Sequence, residues 1–435
     1  MSRFDPPPHP LSIWIVNPFD DIPGEALPPL RFWTLCRVLA GRGHEVIWWS
    51  STWSHRRKAV RKNPVGVVAN EGFSVRLVPV RPYAKNVSWS RFRSHRDFGR
   101  AFERMALEGV ASGHLERPDI ILSSLPPLEG PETAAKLAQR MDSQFVVDLM
   151  DLWPETFDRL IPGPRWLRPL LSRFLLGGMQ RRRREIIRSA DAISAATQTY
   201  ADTVLTDMAP EDQVARKKPL HVCYLGAYLQ EFSPPARLPP ADENPSDTLA
   251  QKPLACVYSG TLELSQDVDT AIAAAKRLSA AGTPAEIHIA GTGRMEASLR
   301  AAASSVTGSC RVIIHGLLHR SAYVELLSTC DVGLVLVKPE SLVAVPYKAC
   351  DFAAAGLALV NSLPGELAGL IDHYGAGVPY TSGDAASLAS ALTSLADNRR
   401  LLNDCRQASR RLAEAVFDRE KTYPALAQWL EQLAH

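Results

Sequence analysis

The sequence predicts an α/β protein: two Rossmann-like, doubly wound parallel-sheet domains facing a cleft. Three observations carry that expectation. The chain has 435 residues, too many for one compact core of ordinary size. Both halves alternate short apolar strands with helical periodicity, the pattern of parallel sheets. Between them, residues 233–252 are rich in Pro, Asp, Glu and Asn and poor in apolar residues, as a linker would be. The boundaries follow: a first domain over 1–232, the linker, a second domain over 253–410, and terminal helices over 411–435, one of which crosses back to the first domain.

The first half opens with an apolar strand at 12–16, a loop through Pro18 and Gly24, and a helix at 32–40. Gly41-Arg42-Gly43-His44 turns the chain into a strand at 45–49, where His44 is assigned a structural part. Further strands fall at 75–79, 119–123, 144–148 and 192–195, with helices at 97–111 and 131–140. The second half repeats the plan, with strands at 255–260, 286–291, 311–316 and 332–337 and a helix at 269–280. Facing strand ends of two such halves would form the cleft where ligands bind in open α/β sheets.

Composition excludes several classes. Hydrophobic residues make up 46% and charged residues 22%, ordinary for a globular protein. No apolar run approaches a membrane span, and residues 1–8 lack the apolar core of a signal peptide, so a cytoplasmic protein is expected. The seven cysteines are scattered singly and read as reduced core residues; no metal site and no cofactor is expected. The net charge of +3 divides into +7 over residues 1–232 and −4 over the remainder. A basic first half suits an anionic partner.

The most informative stretch runs from Val345 to Val360. Pro346 and Lys348 open a helix, Asp351 follows one turn later, and Gly356 leads into an apolar strand. A helix start offers unpaired N–H groups and a positive dipole end, which suit a phosphate. Lys348 adds a point charge, and Asp351 on the same face can accept from sugar hydroxyls. An ordinary helix with a solvated Lys–Asp pair is the competing reading. Three strands of this half also end in glycine, at Gly260, Gly291 and Gly316, with Gly293 two residues beyond the second. Glycine permits positive φ and close approach of a ligand to the backbone. Gly291-Thr292-Gly293 is not a dinucleotide fingerprint, because Glu296 stands where the third glycine belongs.

On these motifs the chain resembles the retaining family 4 glycosyltransferases of the GT-B fold. The likeness rests on Tyr258 to Leu262, Ile289 to Gly293, Val312 to Gly316 and the Pro-x-Lys helix with its following strand. It implies transfer of a sugar from a nucleotide diphosphate to an acceptor hydroxyl with retention, in cell-surface polysaccharide or glycolipid synthesis. By the same likeness Gly260 and Thr261 face the diphosphate, Gly316 and Leu317 flank the base, and Gly291, Gly293, Tyr347 and Glu366 complete the donor side. Two departures stand out. The loop at 262–267 lacks the basic residue that many members use to grip phosphate, and Val343 and Ala344 stand where many carry a glutamate. Lys348 then takes the phosphate role in a Pro-x-Lys subset.

The first half matches the family's opening through Asn17 to Glu25, Arg31 and Gly43 to Val46. The Gly24 loop would close over the diphosphate, and Arg31 could reach the same charge or be a surface arginine. Asp148, Asp151 and Glu155 lie at and just beyond a strand end, before and after Trp153-Pro154. The likeness points this segment at the cleft, with Asp148 and Glu155 on the acceptor side. Asp151 would orient or deprotonate an acceptor hydroxyl, or simply cap the next turn. Trp166 to Leu176 followed by Arg181 to Arg184 suits an anionic membrane surface or a core helix with a solvated end. The expected partners are thus a nucleotide-sugar donor, a lipid-linked or saccharide acceptor and an anionic membrane face. Nucleic acid is not expected. A nucleotide-sugar epimerase and a catalytically lapsed binding subunit remain as alternatives.

Overall fold

A computed structural model describes residues 9–25, 29–61, 71–161, 164, 168–208, 212–233 and 252–434. The expected linker at 233–252 falls almost wholly outside the described residues. The chain forms two compact units, Met1–Cys223 with Lys421–His435, and Tyr224–Glu420.

The first unit holds strands β1 (Ser12–Val16), β2 (Glu45–Ser51), β3 (Trp53–Ser54), β4 (Ala59–Val60), β5 (Ser74–Val78), β6 (Ile120–Leu125), β7 (Gln144–Leu149), β8 (Ala192–Ala195) and β9 (Leu220–Val222). Its helices are α1 (Arg31–Gly41), α2 (Trp89–Ala111), α3 (Glu129–Met141), α4 (Arg168–Ser189), α5 (Gln198–Thr206) and α6 (Gln213–Arg216). Seven strands make one parallel sheet in the order β5-β2-β1-β6-β7-β8-β9, and β3 and β4 form a small ribbon. The sheet reverses direction of winding beside β1, which pairs with β2 on one side and β6 on the other. β1 and β6 are buried along their whole length. That explains why residues 13–16 and 120–122 read as continuous apolar runs rather than alternating ones.

The second unit holds β10 (Leu254–Ser259), β11 (Ala285–Ala290), β12 (Cys310–Gly316), β13 (Val332–Val335), β14 (Ala358–Asn361) and β15 (Gly377–Pro379) in a parallel sheet of order β12-β11-β10-β13-β14-β15. Helices α7 (Val268–Ala280), α8 (Glu296–Ala303), α9 (Arg320–Thr329), α10 (Tyr347–Ala354), α11 (Glu366–Tyr374), α12 (Ala385–Asp397) and α13 (Arg399–Leu412) belong to it. Apolar clusters lie on both faces of this sheet, one built on Cys256, Ile287 and Leu334, the other on Val257, Val335 and Leu359. Neighbouring residues of one strand thus serve opposite cores, as a period of two demands.

The last helix, α14 (Arg419–Leu433), buries Tyr423, Leu426 and Leu430 in the core of the first unit with Ile13, Ile15 and Phe32. Its Glu431 accepts from the Arg42 guanidinium at 2.6 Å and lies 2.7 Å from His44 Nε2. His44 Nδ1 accepts from Leu11 N–H at 3.1 Å, so its proton sits on Nε2 and faces Glu431. All seven cysteines are buried, and none is in a disulfide. One helix is longer than the sequence predicts: α2 begins at Trp89, because the Ser88 side chain caps Arg91 N–H. The first turns carry Trp, Ser, Arg and Phe without an apolar stripe, so periodicity alone starts the helix at 97.

Candidate active site

In the second unit the glycine-ended strands are laced together by their own backbones. Gly260 N–H donates to Ala290 O at 3.0 Å, Leu262 N–H to Thr292 O at 2.9 Å, and Gly291 N–H to Gly316 O at 2.7 Å. Gly291 has φ +149°, and a Cβ there would overlap the carbonyl of Gly260; one at Gly293 would overlap that of Leu262. These two glycines are required by strand-end packing, a different cause from the ligand approach expected of them. Gly260 differs. At φ +139° a Cβ would meet the Lys348 ammonium at 3.2 Å and the Tyr258 hydroxyl at 3.3 Å. Thr261 is exposed beside it, and Leu317, 74% exposed, stands just past Gly316 at the end of β12.

Lys348 is therefore placed at the carboxyl end of β10. Pro346 opens α10 without a side-chain cap, and the second helical residue swings its ammonium over the Tyr258 ring, 4.1 Å from the centroid. Lys348 Nζ donates to Gln266 Oε1 at 3.1 Å. The Tyr258 hydroxyl lies 3.2 Å from the same oxygen and 2.9 Å from Thr261 O. Loss of water around this ammonium pulls its pKa from 10.5 down to about 7. No carboxylate among the described residues pairs with it. A cation held in a dry niche without a counter-ion is poised to gain from an anion. Gln266 and Tyr258 are residues that sequence reasoning missed. Gln266 lies in the very loop noted for lacking a basic residue, and nothing local distinguishes it.

Asp351 faces another way. Its carboxylate accepts from Arg320 Nη1 at 2.9 Å and Nη2 at 3.3 Å, and Arg320 also holds Glu231 at 2.5 Å. The Lys348–Asp351 pair of the competing reading does not form; each finds a partner outside α10. Two N–H donors leave an ionised carboxylate with acceptor capacity, so Arg320 orients Asp351 without exhausting it. Ser259 Oγ and the Tyr323 hydroxyl, 3.1 Å apart, link this group to the end of β10. A hollow of about 540 Å³ lined by Glu231, Phe232, Arg320 and Val324 adjoins it. Tyr347 lies under the Arg419 guanidinium, 5.8 Å from its ring centroid. Glu366, in the first turn of α11, accepts from the Tyr224 hydroxyl at 2.5 Å.

The first unit corrects two expectations, those for Arg31 and Asp148. Arg31 is fully buried, and its guanidinium binds Asp148 through Nε at 2.7 Å and Nη2 at 2.8 Å. It also donates to Cys223 O at 2.5 Å and to Ser194 Oγ at 3.0 Å. Arg31 is thus spent inside the unit rather than reaching a diphosphate. Asp148 is 1% exposed and is spent on Arg31 rather than facing an acceptor. Glu155 accepts from Arg183 Nη1 at 2.5 Å; Arg183, buried in α4, also binds Trp153 O and Asp207. Asp151 Oδ1 accepts from Leu152 N–H at 2.8 Å and lies 3.5 Å from Thr156 Oγ1, the geometry of a turn cap. Gly24 takes φ +87° in the turn closed by Glu25 N–H to Ile22 O, with open space around it. Among the described residues no group of three or more His, Cys, Asp or Glu side chains is placed to hold a metal ion.

Comparison with known proteins follows the same division. The family described as Glycosyl transferases group 1 matches residues 241–412, and the Glycosyl transferase 4-like domain matches residues 30–217. The chain is a GT-B glycosyltransferase. Its fold is similar to that of a sucrose-phosphate synthase from Thermosynechococcus elongatus, with a TM-score of 0.69 at 15% identity over 97% of this chain and 99% of that one. HepE of Anabaena, solved in complex with UDP, gives 0.65 at 14% identity over 97% and 100%. An Escherichia coli structure described as trehalose-6-phosphate bound with UDP-2-fluoro glucose gives 0.62 at 14% identity over 98% and 99%. No curated protein matches the sequence. For this glycosyltransferase the residues around Lys348 are the candidate donor site.

Proposed function

We propose that this enzyme is a retaining hexosyltransferase that takes its sugar from a nucleoside diphosphate and delivers it to an acceptor hydroxyl in polysaccharide or glycolipid synthesis. One observation carries the reading: the Lys348 ammonium, desolvated and without a counter-ion among the described residues, lies against Gly260 at the carboxyl end of β10. Leaving-group charge is what such a transferase must stabilise, and a fixed cation beside glycine backbone meets that need. The UDP and UDP-glucose complexes of HepE support a nucleotide-sugar donor. No described helix is long and apolar enough to cross a membrane. α4 nevertheless exposes Leu170, Phe174 and Leu175 beside Arg173, which supports contact with an anionic membrane face.

The test is a donor screen with UDP, GDP and ADP sugars, reading product anomeric configuration by NMR against that of the donor. An inverted product overturns retention, and binding without transfer to any lipid or glycan extract overturns the enzyme reading. Asp351→Ala is expected to weaken nucleotide affinity by about tenfold, the scale of one charge-assisted hydrogen bond lost to ribose. Calorimetry with UDP checks it, and unchanged affinity would remove Asp351 from the site. Asp151→Asn keeps the Oδ1 that caps Leu152, so its melting temperature should hold while turnover falls at least tenfold. A turnover equal to that of the parent reduces Asp151 to the cap the structure displays.

A further inference from the structure

At the carboxyl edge of the first sheet, two cations meet, and neither forms an ion pair among the described residues. Lys58 lies in the loop after β3, and Arg91 in the first turn of α2. Both grip Asn86: Lys58 Nζ donates to its Oδ1 at 2.6 Å, and Arg91 Nη1 to its carbonyl at 2.5 Å. Lys58 Nζ is 4.9 Å from the Tyr83 ring centroid and 3.5 Å from His55 Nδ1, and the same His55 nitrogen is 2.6 Å from the Tyr83 hydroxyl. Lys58 adopts φ +52°, a conformation that disfavours a long side chain unless something repays it. Burial, and then the charge of Arg91, pull the Lys58 pKa down; burial, Arg91 and Lys58 do the same to His55, to about 3. The charge of Asp151 acts on Arg91 and partly offsets the effect of its burial.

The cluster is walled by aromatic rings. The Arg91 guanidinium lies 5.0 Å from the Trp153 centroid and 5.3 Å from that of Phe19. Phe92 packs against Trp153 and Phe157 at 6.4 and 5.9 Å. Behind them His95, 3% exposed, accepts from Arg91 Nε through Nε2 at 3.3 Å. That network puts its proton on Nδ1, a buried nitrogen that has no hydrogen-bond partner. The nearest carboxylate, Glu129, is 3.8 Å away and is engaged by Arg182. Unpaired buried donors and uncompensated cations both cost free energy. They come together on loops that follow β1, β3, β5 and β7, the edge where ligands bind in open α/β sheets.

We infer that this cluster is the acceptor subsite, and that the acceptor carries an anionic oxygen group, phosphate or carboxylate, adjacent to its sugar ring. The anion sits by Lys58 and Arg91, and the ring packs on Trp153, Phe92 and Phe19. Ring C–H groups are weakly positive and favour the negative face of an aromatic ring. The assignment rests on the reading of this chain as a transferase with an acceptor. It narrows that acceptor from saccharides in general to those bearing charge.

The experiment is calorimetry on the full chain with three probes, glucose 1-phosphate, glucuronate and methyl glucoside, each with UDP titrated separately as a control. One or both anionic probes should bind, and the neutral glucoside at least tenfold more weakly. Preference for the phosphate or the carboxylate identifies the source of the anion. Lys58→Gln should weaken the anionic probe about tenfold, leave the UDP affinity unchanged and preserve the melting temperature. Arg91→Lys keeps the charge but loses the planar contact with the rings, and should weaken the probe less than Lys58→Gln. Equal binding of charged and neutral probes, no binding of any, or an unaffected Lys58→Gln variant overturns the assignment. Failure of UDP alone to bind would instead strike at the donor reading and leave the anion result standing.

Discussion

Lys348→Ala should lower the affinity of this enzyme for a nucleoside diphosphate by ten- to a hundredfold, the equivalent of about 1.5–3 kcal/mol for a contact with a charged group. The effect is large because the ammonium has no competing carboxylate, only Gln266 and the face of Tyr258. It also carries a pH signature. The free site holds its proton with a pKa of about 7, and a diphosphate binds the charged form and raises that value. Affinity is then level below about pH 7 and falls by up to tenfold per unit above it, until the pKa of the complex is reached. For folding the same shift has the opposite sign. Between about 7 and 10.5 the unfolded chain binds the proton that the native site has released, so this group favours the native state as pH rises. Calorimetry with UDP from pH 6 to 9 measures the first effect, and the alanine variant should flatten it. An affinity that neither drops on substitution nor varies over that range places the diphosphate elsewhere.

Arg31→Met should be the most destabilising single substitution named here. Removing one partner of a buried ion pair costs about 3–5 kcal/mol, since the other charge stays in a dry interior. Asp148 would be that charge, at 1% exposure, and Ser194 and Cys223 O would lose their donor as well. In a unit of this size about 10 °C of melting temperature should go with it. Arg31→Met with Asp148→Leu removes both charges, and should recover much of the loss because an apolar pair of similar volume often substitutes well. A single variant that melts with the parent would show that the guanidinium is not a structural tie. One that keeps its fold yet loses UDP binding would return Arg31 to the diphosphate.

These two residues show what a sequence does and does not disclose. The helix that carries Lys348 is legible because its signal is local: a proline, a lysine, a short helix, glycine and an apolar strand in one continuous stretch. Arg31 looked like a helix-start cation available to a ligand. Its neighbours Leu30, Phe32 and Trp33 hinted at burial, but its partner lies 117 residues on. Asp148 at a strand end reads as an acceptor-side carboxylate, and its partner is instead a core arginine. Gln266 escaped notice because an uncharged side chain in a loop acquires meaning only from the lysine 82 residues later. The cationic cluster escaped as a site for the same reason. Lys58, Tyr83, Arg91, His95 and Trp153 are scattered over four segments that only the sheet gathers.

By itself, the sequence determined the alternation of strand and helix, the glycine-ended strands and the helix that opens on Pro346. Those are set by periodicity, φ preference and turn chemistry acting over a few residues. The tertiary structure alone decided the partner of each charge: Arg31 with Asp148, Asp351 with Arg320, and Arg42 with Glu431 across 389 residues. An ion pair forms where folding brings two opposite charges within reach of each other. Sequence distance has no bearing on that, whereas local patterning has no range beyond it.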